Sequence, residues 1–234
     1  MKNILEPKRP TNIPQFAEIC LQALVDKQLS DKISLGGAFG LLHYLDYRST
    51  HDVDAWWNAK TTTPEKEQVV STIEIALAPY GNVERRVWGD VVSIGLKQAH
   101  KTIFSFQIAQ RTVQLEPTVS AAWIDVSLDS FSDLVASKMV ALVERGAPRD
   151  FRDIYVLCQK NLSTPRECWQ LWRERQTLAG SDVNPDRVRL AIETHLARIA
   201  LHRPLDDIAD PEQRSEVEVT RNWFRKDFLD GLLD

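Results

Sequence analysis

"LGGAFGLLHYLDYRSTHDVDAWW", Leu35 to Trp57, sets two glycines after a short apolar run and two aspartates, Asp52 and Asp54, further on. Aspartate is depleted from strands, and like charges side by side on a sheet repel each other. Residues i and i+2 of a strand share a face. Asp52 and Asp54 therefore project together, with Val53 toward the core. Two parallel carboxylates become favourable when a hard divalent cation sits between them. Mg²⁺ (or Mn²⁺) takes oxygen ligands, usually one or two carboxylates plus phosphate oxygens. Gly36 and Gly37 fall between an expected strand and an expected helix. Small residues there let backbone N–H groups approach an anion, and the helix start adds its positive end. Phosphate at the glycine turn and metal on the aspartates describe a site for a nucleoside triphosphate (NTP). Taken singly, Gly-Gly is a common tight turn and Asp-x-Asp a common solvated strand end. Their order and the strand–turn–helix–strand setting join them.

The rest of the chain fits a globular protein of 234 residues, 43% hydrophobic, with a net charge of -4. That charge gives no global pull toward nucleic acid. No apolar run has the length of a membrane span, and "MKNILEPKRPTNIPQF" lacks the apolar core of a signal peptide. Cys20, Cys158 and Cys168 are scattered, with neither zinc-site nor disulfide spacing, so a reducing, cytoplasmic setting without membrane contact is expected. Helical spacing marks residues 13–28, 38–47 and 64–80, and strand signals mark "KISLGG", "DVDAWW", a pair turned at Gly89-Asp90, and "KTIFSFQIAQ". A looser stretch with Pro117 follows. Everything beyond reads as helix, over roughly 130–145, 149–160, 164–177, 184–200 and 213–231. A mixed α/β domain over 1–128 and a helical domain over 129–234 are expected. Trp169 and Trp172 share a helix face, as core residues or as a platform for base stacking.

A second stretch, "DLVASKMVALVERGAPRDFRDIYVL", puts charges on apolar stripes. Lys138 lies within the stripe of Phe131, Leu134, Val135 and Leu142, with Arg145 beside it. Asp150 and Asp153 line up with Ile154 and Leu157. Unpaired buried charge is costly, so the four groups neutralise one another or face a polar cleft. As a buried network the pairs would be Arg145 with Asp153 and Lys138 with Asp150. In a cleft, Lys138 would suit triphosphate as a point charge with three donors.

"GGAFGLLHYLDYRSTHDVD" resembles the signature of the polymerase-β-type nucleotidyltransferases, and in particular of the AbiEii toxin family, which includes the MenT toxins. Gly36, Gly37, Ala38, Arg48, Thr50, Asp52, Val53 and Asp54 fall on the pattern, while Gly40 stands where it has leucine. The second stretch resembles the same family without a gap, through Asp133, Leu134, Lys138, Ala141, Leu142, Arg145, Gly146, Asp150, Phe151, Asp153, Ile154, Tyr155 and Leu157. The resemblance implies an α+β fold: a small, twisted, mixed sheet of the polymerase-β type, followed by a helical C-terminal half. It implies transfer of a nucleoside monophosphate from an NTP to a hydroxyl, on an RNA acceptor such as the tRNA 3′ end, by a toxin with an antitoxin partner. Asp52 and Asp54 would hold the metal. Gly36, Gly37, Arg48, Thr50 and Lys138 would bind the nucleotide.

One departure stands out. Polymerase-β-type enzymes usually carry a third carboxylate on a later strand, which helps deprotonate the attacking hydroxyl. Here that strand offers only Ser105 and Gln107 on its polar face. Either Asp150 or Asp153 supplies the missing group, or the chemistry is weakened. Asp150 lies in the first helical turn, stabilised there as a carboxylate, and is expected to serve the chemistry. Asp153, one turn deeper, is expected to support the fold by meeting Arg145. Two other functions remain open: a catalytically weak or inactive relative that binds nucleotide or a protein partner, and a nucleotidyltransferase acting on a small molecule or protein.

Overall fold

The computed structural model describes residues 5–232. Two compact units divide it, Met1–Leu134 and Val135–Asp234, and the division falls inside one helix.

In the first unit, helix α1 (Gln15–Asp26) leads through a 3₁₀ turn to β1 (Ile33–Gly36) and the short α2 (Gly37–Leu42). Then come β2 (Asp52–Trp57), α3 (Thr63–Leu77), and three strands, β3 (Asn82–Trp88), β4 (Val91–Gln98) and β5 (Lys101–Gln110). Two-residue strands β6 (Val119–Ser120) and β7 (Ser127–Leu128) follow, within the stretch expected to be loose. Among the described residues the seven strands form one sheet, in the order β3-β4-β5-β2-β1-β7-β6. It is mixed: β1 runs antiparallel to β2 and parallel to β7, while β2 runs parallel to β5.

Strand alternation gives the sheet two unlike faces. Ile33, Leu35, Val53, Ala55, Trp57, Ile94, Leu96, Phe104, Phe106 and Ile108 form one core with residues of α1 and α3. Each such large side chain contributes about 1.5–3 kcal/mol when fully buried. α3 starts on a capping box, in which the Thr62 amide donates to Glu65 at 2.7 Å and the Glu65 amide to the Thr62 hydroxyl at 3.5 Å. Gly89, with φ of 53°, makes the β3–β4 turn.

α2 ends five residues before the expected end at residue 47 because the following chain is tied elsewhere. The His43 carbonyl accepts from the Lys8 amide at 2.7 Å, and the Asp46 carboxylate accepts from the Thr11 amide at 2.7 Å.

Helix α4 (Phe131–Glu144) enters the second unit, which holds α5 (Pro148–Gln159), α6 (Pro165–Leu178), α7 (Pro185–His202) and α8 (Pro211–Trp223). Each of these four starts on a proline, whose missing N–H costs nothing at a helix start. Thr164, Asn184 and Asp210 cap three of them with side-chain oxygens. The last expected helix instead passes into a π turn at Phe224–Phe228. That turn buries Phe224 and Phe228 against Trp223 and Trp169, with ring centroids 4.8–5.2 Å apart. Trp169 and Trp172 meet edge to face inside this core, 0% and 1% exposed, which leaves neither a face for base stacking.

Candidate active site

The polar face of the first unit's sheet is built by register. Gly36 stands opposite Asp54, and Ser34 opposite Trp56, across the β1–β2 ladder. On the other side of β2, Ser105 stands beside Asp52 and Gln107 beside Asp54. Asp52 and Asp54 thus share one half-buried face, with Val53 fully buried behind them.

The glycines prove necessary for a reason the sequence reading did not contain. A Cβ on Gly37 would lie 2.0 Å from Asp54 Oδ2, and its φ of +57° disfavours any other residue. A Cβ on Gly36 would lie 2.5 Å from Trp56 Nε1. On this side, the room expected for an anion is filled by the Asp54 carboxylate and the Trp56 indole. α2 has only six residues, too few for its dipole to add much to anion binding at the turn.

Where a third carboxylate would stand, the Ser105 hydroxyl donates to Asp52 Oδ1 at 2.7 Å. Ser105 thereby steadies Asp52 but brings no negative charge. Thr50, nearly buried, brackets the entry to β2: its hydroxyl is 3.2 Å from the Asp52 carbonyl and 3.3 Å from the Asp52 amide. The Arg48 guanidinium lies over the Tyr47 ring and donates to the Ser49 carbonyl at 3.3 Å.

A charged group beside these residues was missed. Arg111 follows β5 and is nine-tenths buried. It donates to Ser34 Oγ at 2.6 Å, pairs with Asp129, and lies 3.9 Å from Asp133. Burial pushes the Asp129 carboxyl above the ordinary carboxylate range, although Arg111 pulls the other way. Asp133 also accepts from the amides of Leu115 and Glu116 at 2.9 and 3.0 Å, which fastens the loop after β5 to the start of α4. The signal was present in strand parity. Counting in twos from Ser105 through Gln107 and Ala109 reaches Arg111 on the same face.

In the second unit the four charges are paired, but with exchanged partners. Lys138 meets Asp153 at 2.6 Å. Arg145 meets Asp150 through two bonds of 2.8 Å. The expected pairs, Arg145 with Asp153 and Lys138 with Asp150, are corrected accordingly. The cause is the tight joint between α4 and α5. Gly146, with φ of +52°, turns the chain back at once, so Asp150 reaches both Arg145 and the Ala147 amide, at 3.1 Å. Asp153, one turn on, meets Lys138 instead. Asp150 and Asp153 are both 0% exposed and Lys138 is 6% exposed. Among the described residues, no group of three or more His, Cys, Asp or Glu side chains is placed to hold a metal ion.

Comparison with known proteins gives a family match and similar solved structures. A sequence model of the family described as "Nucleotidyl transferase AbiEii toxin, Type IV TA system" matches residues 19–230. No curated protein sequence matches the chain. Among solved structures, the antibiotic-resistance factor ANT(2'')-Ia is similar at 14% identity and a TM-score of 0.40, over 80% of this chain and 92% of that one. An antigenic nucleotidyltransferase-like protein from Paracoccidioides brasiliensis is similar at 13% identity and a TM-score of 0.40, over 87% of this chain and 91% of that one.

Proposed function

Since the chain belongs to the AbiEii family of nucleotidyltransferase toxins, we propose that it transfers a nucleoside monophosphate from an NTP to a hydroxyl on RNA, with Asp52 and Asp54 as its metal-binding pair. The observation that carries this reading is the alignment of Asp52 and Asp54 on one face, with Asp54 seated on Gly37 and Asp52 held by Ser105.

Asp52 and Asp54 would hold a magnesium ion, which takes oxygen ligands and is usually bound by one or two carboxylates together with substrate phosphates. When bound, the ion neutralises phosphate charge and activates the acceptor oxygen. The acceptor oxygen bonds to the α-phosphorus, the bond from that phosphorus to the bridging oxygen breaks, and pyrophosphate leaves. The chain's task is to hold the two carboxylates parallel and keep Asp52 aimed through Ser105.

Gly36, Gly37, Arg48, Thr50 and Lys138 are the proposed nucleotide-binding residues. Ser105 cannot take the acceptor's proton, and Asp150 is the residue proposed for that work. Both oxygens of Asp150 are engaged by Arg145 and Ala147. Asp153, which meets Lys138 at 2.6 Å, is proposed to support the fold. A cognate antitoxin and a cytoplasmic setting complete the proposal. No helix among the described residues is long and apolar enough to cross a membrane.

The test is incubation of the purified protein with each labelled NTP and total RNA, with and without Mg²⁺. Label on RNA, lost in Asp54→Asn at unchanged melting temperature, is the expected result. Label that persists in Asp54→Asn removes the pair from the chemistry, and label on protein or a small molecule replaces the acceptor.

A further inference from the structure

We infer that Trp56 is a positioning residue of the glycine turn and that Arg111 holds it there. Trp56 is the next same-face residue of β2 after Asp54. The two side chains cover two successive glycines, Asp54 on Gly37 and Trp56 on Gly36. A Cβ at position 36 would meet the indole edge at Nε1, 2.5 Å, and at Cδ1, 3.1 Å. The turn's backbone is therefore shaped by one carboxylate and one indole lying side by side.

Hydrogen bonding does not fix that indole. Its buried N–H has no acceptor among the described residues. Packing holds it: its edge lies against Gly36, and the Arg111 guanidinium lies over its ring, 5.8 Å from the centroid. A guanidinium suits this place because it is planar, always charged, and able to stack on an aromatic ring while donating to others. Arg111 is in turn anchored to Ser34, which stands opposite Trp56 in the ladder, and to Asp129 beyond β7. The chain of contacts runs from Asp129 and Ser34 through Arg111 and Trp56 to the backbone at Gly36. Loss of the cation frees the indole to tilt, and the glycine turn loses its fixed shape while Asp52 and Asp54 keep theirs through strand pairing.

This inference rests on the reading of Gly36 and Gly37 as a nucleotide turn. Its test separates nucleotide binding from metal binding. Calorimetric NTP affinity and the Mn²⁺-induced rise in melting temperature are measured for wild type, Arg111→Met, Arg111→Lys and Trp56→Leu. Arg111→Met keeps an unbranched stem without the charge. It should bind NTP on the order of tenfold more weakly, since small misplacements weaken such contacts steeply, while its Mn²⁺ response persists. Arg111→Lys should recover most of the affinity. If Arg111→Met does not fold, Trp56→Leu, which leaves the ion pairs in place, should show the same selective loss. Wild-type affinity in a folded Arg111→Met or Trp56→Leu overturns the inference alone. So does a lysine variant as weak as the methionine one. Wild-type protein that binds no NTP overturns the nucleotide reading and this inference with it.

Discussion

The carboxylates of the first unit and those of the second are held in opposite ways. Asp52 and Asp54 are placed by strand register, stay half exposed, and rest on a serine hydroxyl and a glycine. Asp150 and Asp153 are wholly buried, and each meets a cation. The first pair is placed by strand register on a half-buried face. The second pair is part of what holds the helices together. A buried carboxylate facing a cation and a half-exposed one placed by strand register should respond differently to removal, and the measurements below start from that difference.

The largest effect is expected at Lys138. Lys138→Met removes the cation that meets the buried Asp153 carboxylate at 2.6 Å, and breaking a buried pair in this way costs about 3–5 kcal/mol. Denaturant unfolding measures it. The double variant Lys138→Met/Asp153→Leu should recover most of the loss, since replacing both members of a buried pair is often neutral or better. Asp54→Asn in the first unit should cost less than Lys138→Met, because that carboxylate is half exposed rather than fully buried. A Lys138→Met cost under about 1 kcal/mol would break the comparison, because the pair would then behave as an exposed one. Activity completes the test: if the double variant is stable but inactive, Lys138 and Asp153 do more than hold the fold.

The comparison also separates what was legible in the sequence from what was not. Strand geometry made the first site readable. Period two put Asp52 with Asp54, and Phe104 with Phe106 and Ile108, and the structure has both sets on opposite faces of one sheet. Glycine at 36 and 37 was legible as a need for space, but not which side chains fill it, because that depends on a ladder partner distant in sequence. Helical spacing put Lys138, Arg145, Asp150 and Asp153 on or beside core-facing stripes; Lys138, Asp150 and Asp153 are buried, while Arg145 is half exposed. It did not show which acid meets which base, since both candidate pairs fit the spacing and the choice turns on the left-handed residue at Gly146. Arg111 went unnoticed because its partners, Ser34 and Asp129, are brought to it by two strands distant in sequence, β1 and β7.

A middle-sized effect sharpens the account of Asp52. Ser105 stands beside it in register, with its hydroxyl on the carboxylate. Ser105→Asp would set a third acid where polymerase-β-type enzymes usually carry one. Without metal, the new like charge at a nearly buried position should destabilise the protein by roughly 2 kcal/mol. With Mg²⁺ or Mn²⁺ the order should reverse in part, and the metal-induced rise in melting temperature should exceed that of wild type, because a ligand bound only by the native state stabilises it. Thermal melts at increasing Mn²⁺ read both. A destabilised variant with no larger metal response would mean that position 105 lies out of reach of any metal the proposed Asp52–Asp54 pair holds.

The smallest effect concerns pH, and it belongs to the first unit. His43 closes α2, the helix that begins at the glycine turn. Its Nδ1 is 3.0 Å from the Phe39 carbonyl, and its Nε2 accepts from Trp123 Nε1 at 3.0 Å. That pattern needs a neutral ring with its proton on Nδ1. Burial holds its pKa below the ordinary histidine value, although the backbone bonds oppose the shift. In the unfolded chain the ring takes up a proton as pH falls past about 6.5. The folded ring resists, so over that range the unfolded state binds more protons and stability falls with falling pH. The stability is fully present above about 6.5 and is lost as pH drops toward the folded value. His43→Gln can donate one hydrogen bond and accept another without titrating, and should flatten this part of the profile. Chemical denaturation at a series of pH values from 7.5 down to about 5 tests it, in the range where histidine titrates. Amide exchange at Phe39–Leu42 should show where the loss begins. An identical slope in wild type and His43→Gln would assign the acid sensitivity to other groups, and faster exchange confined to the second unit would move it there.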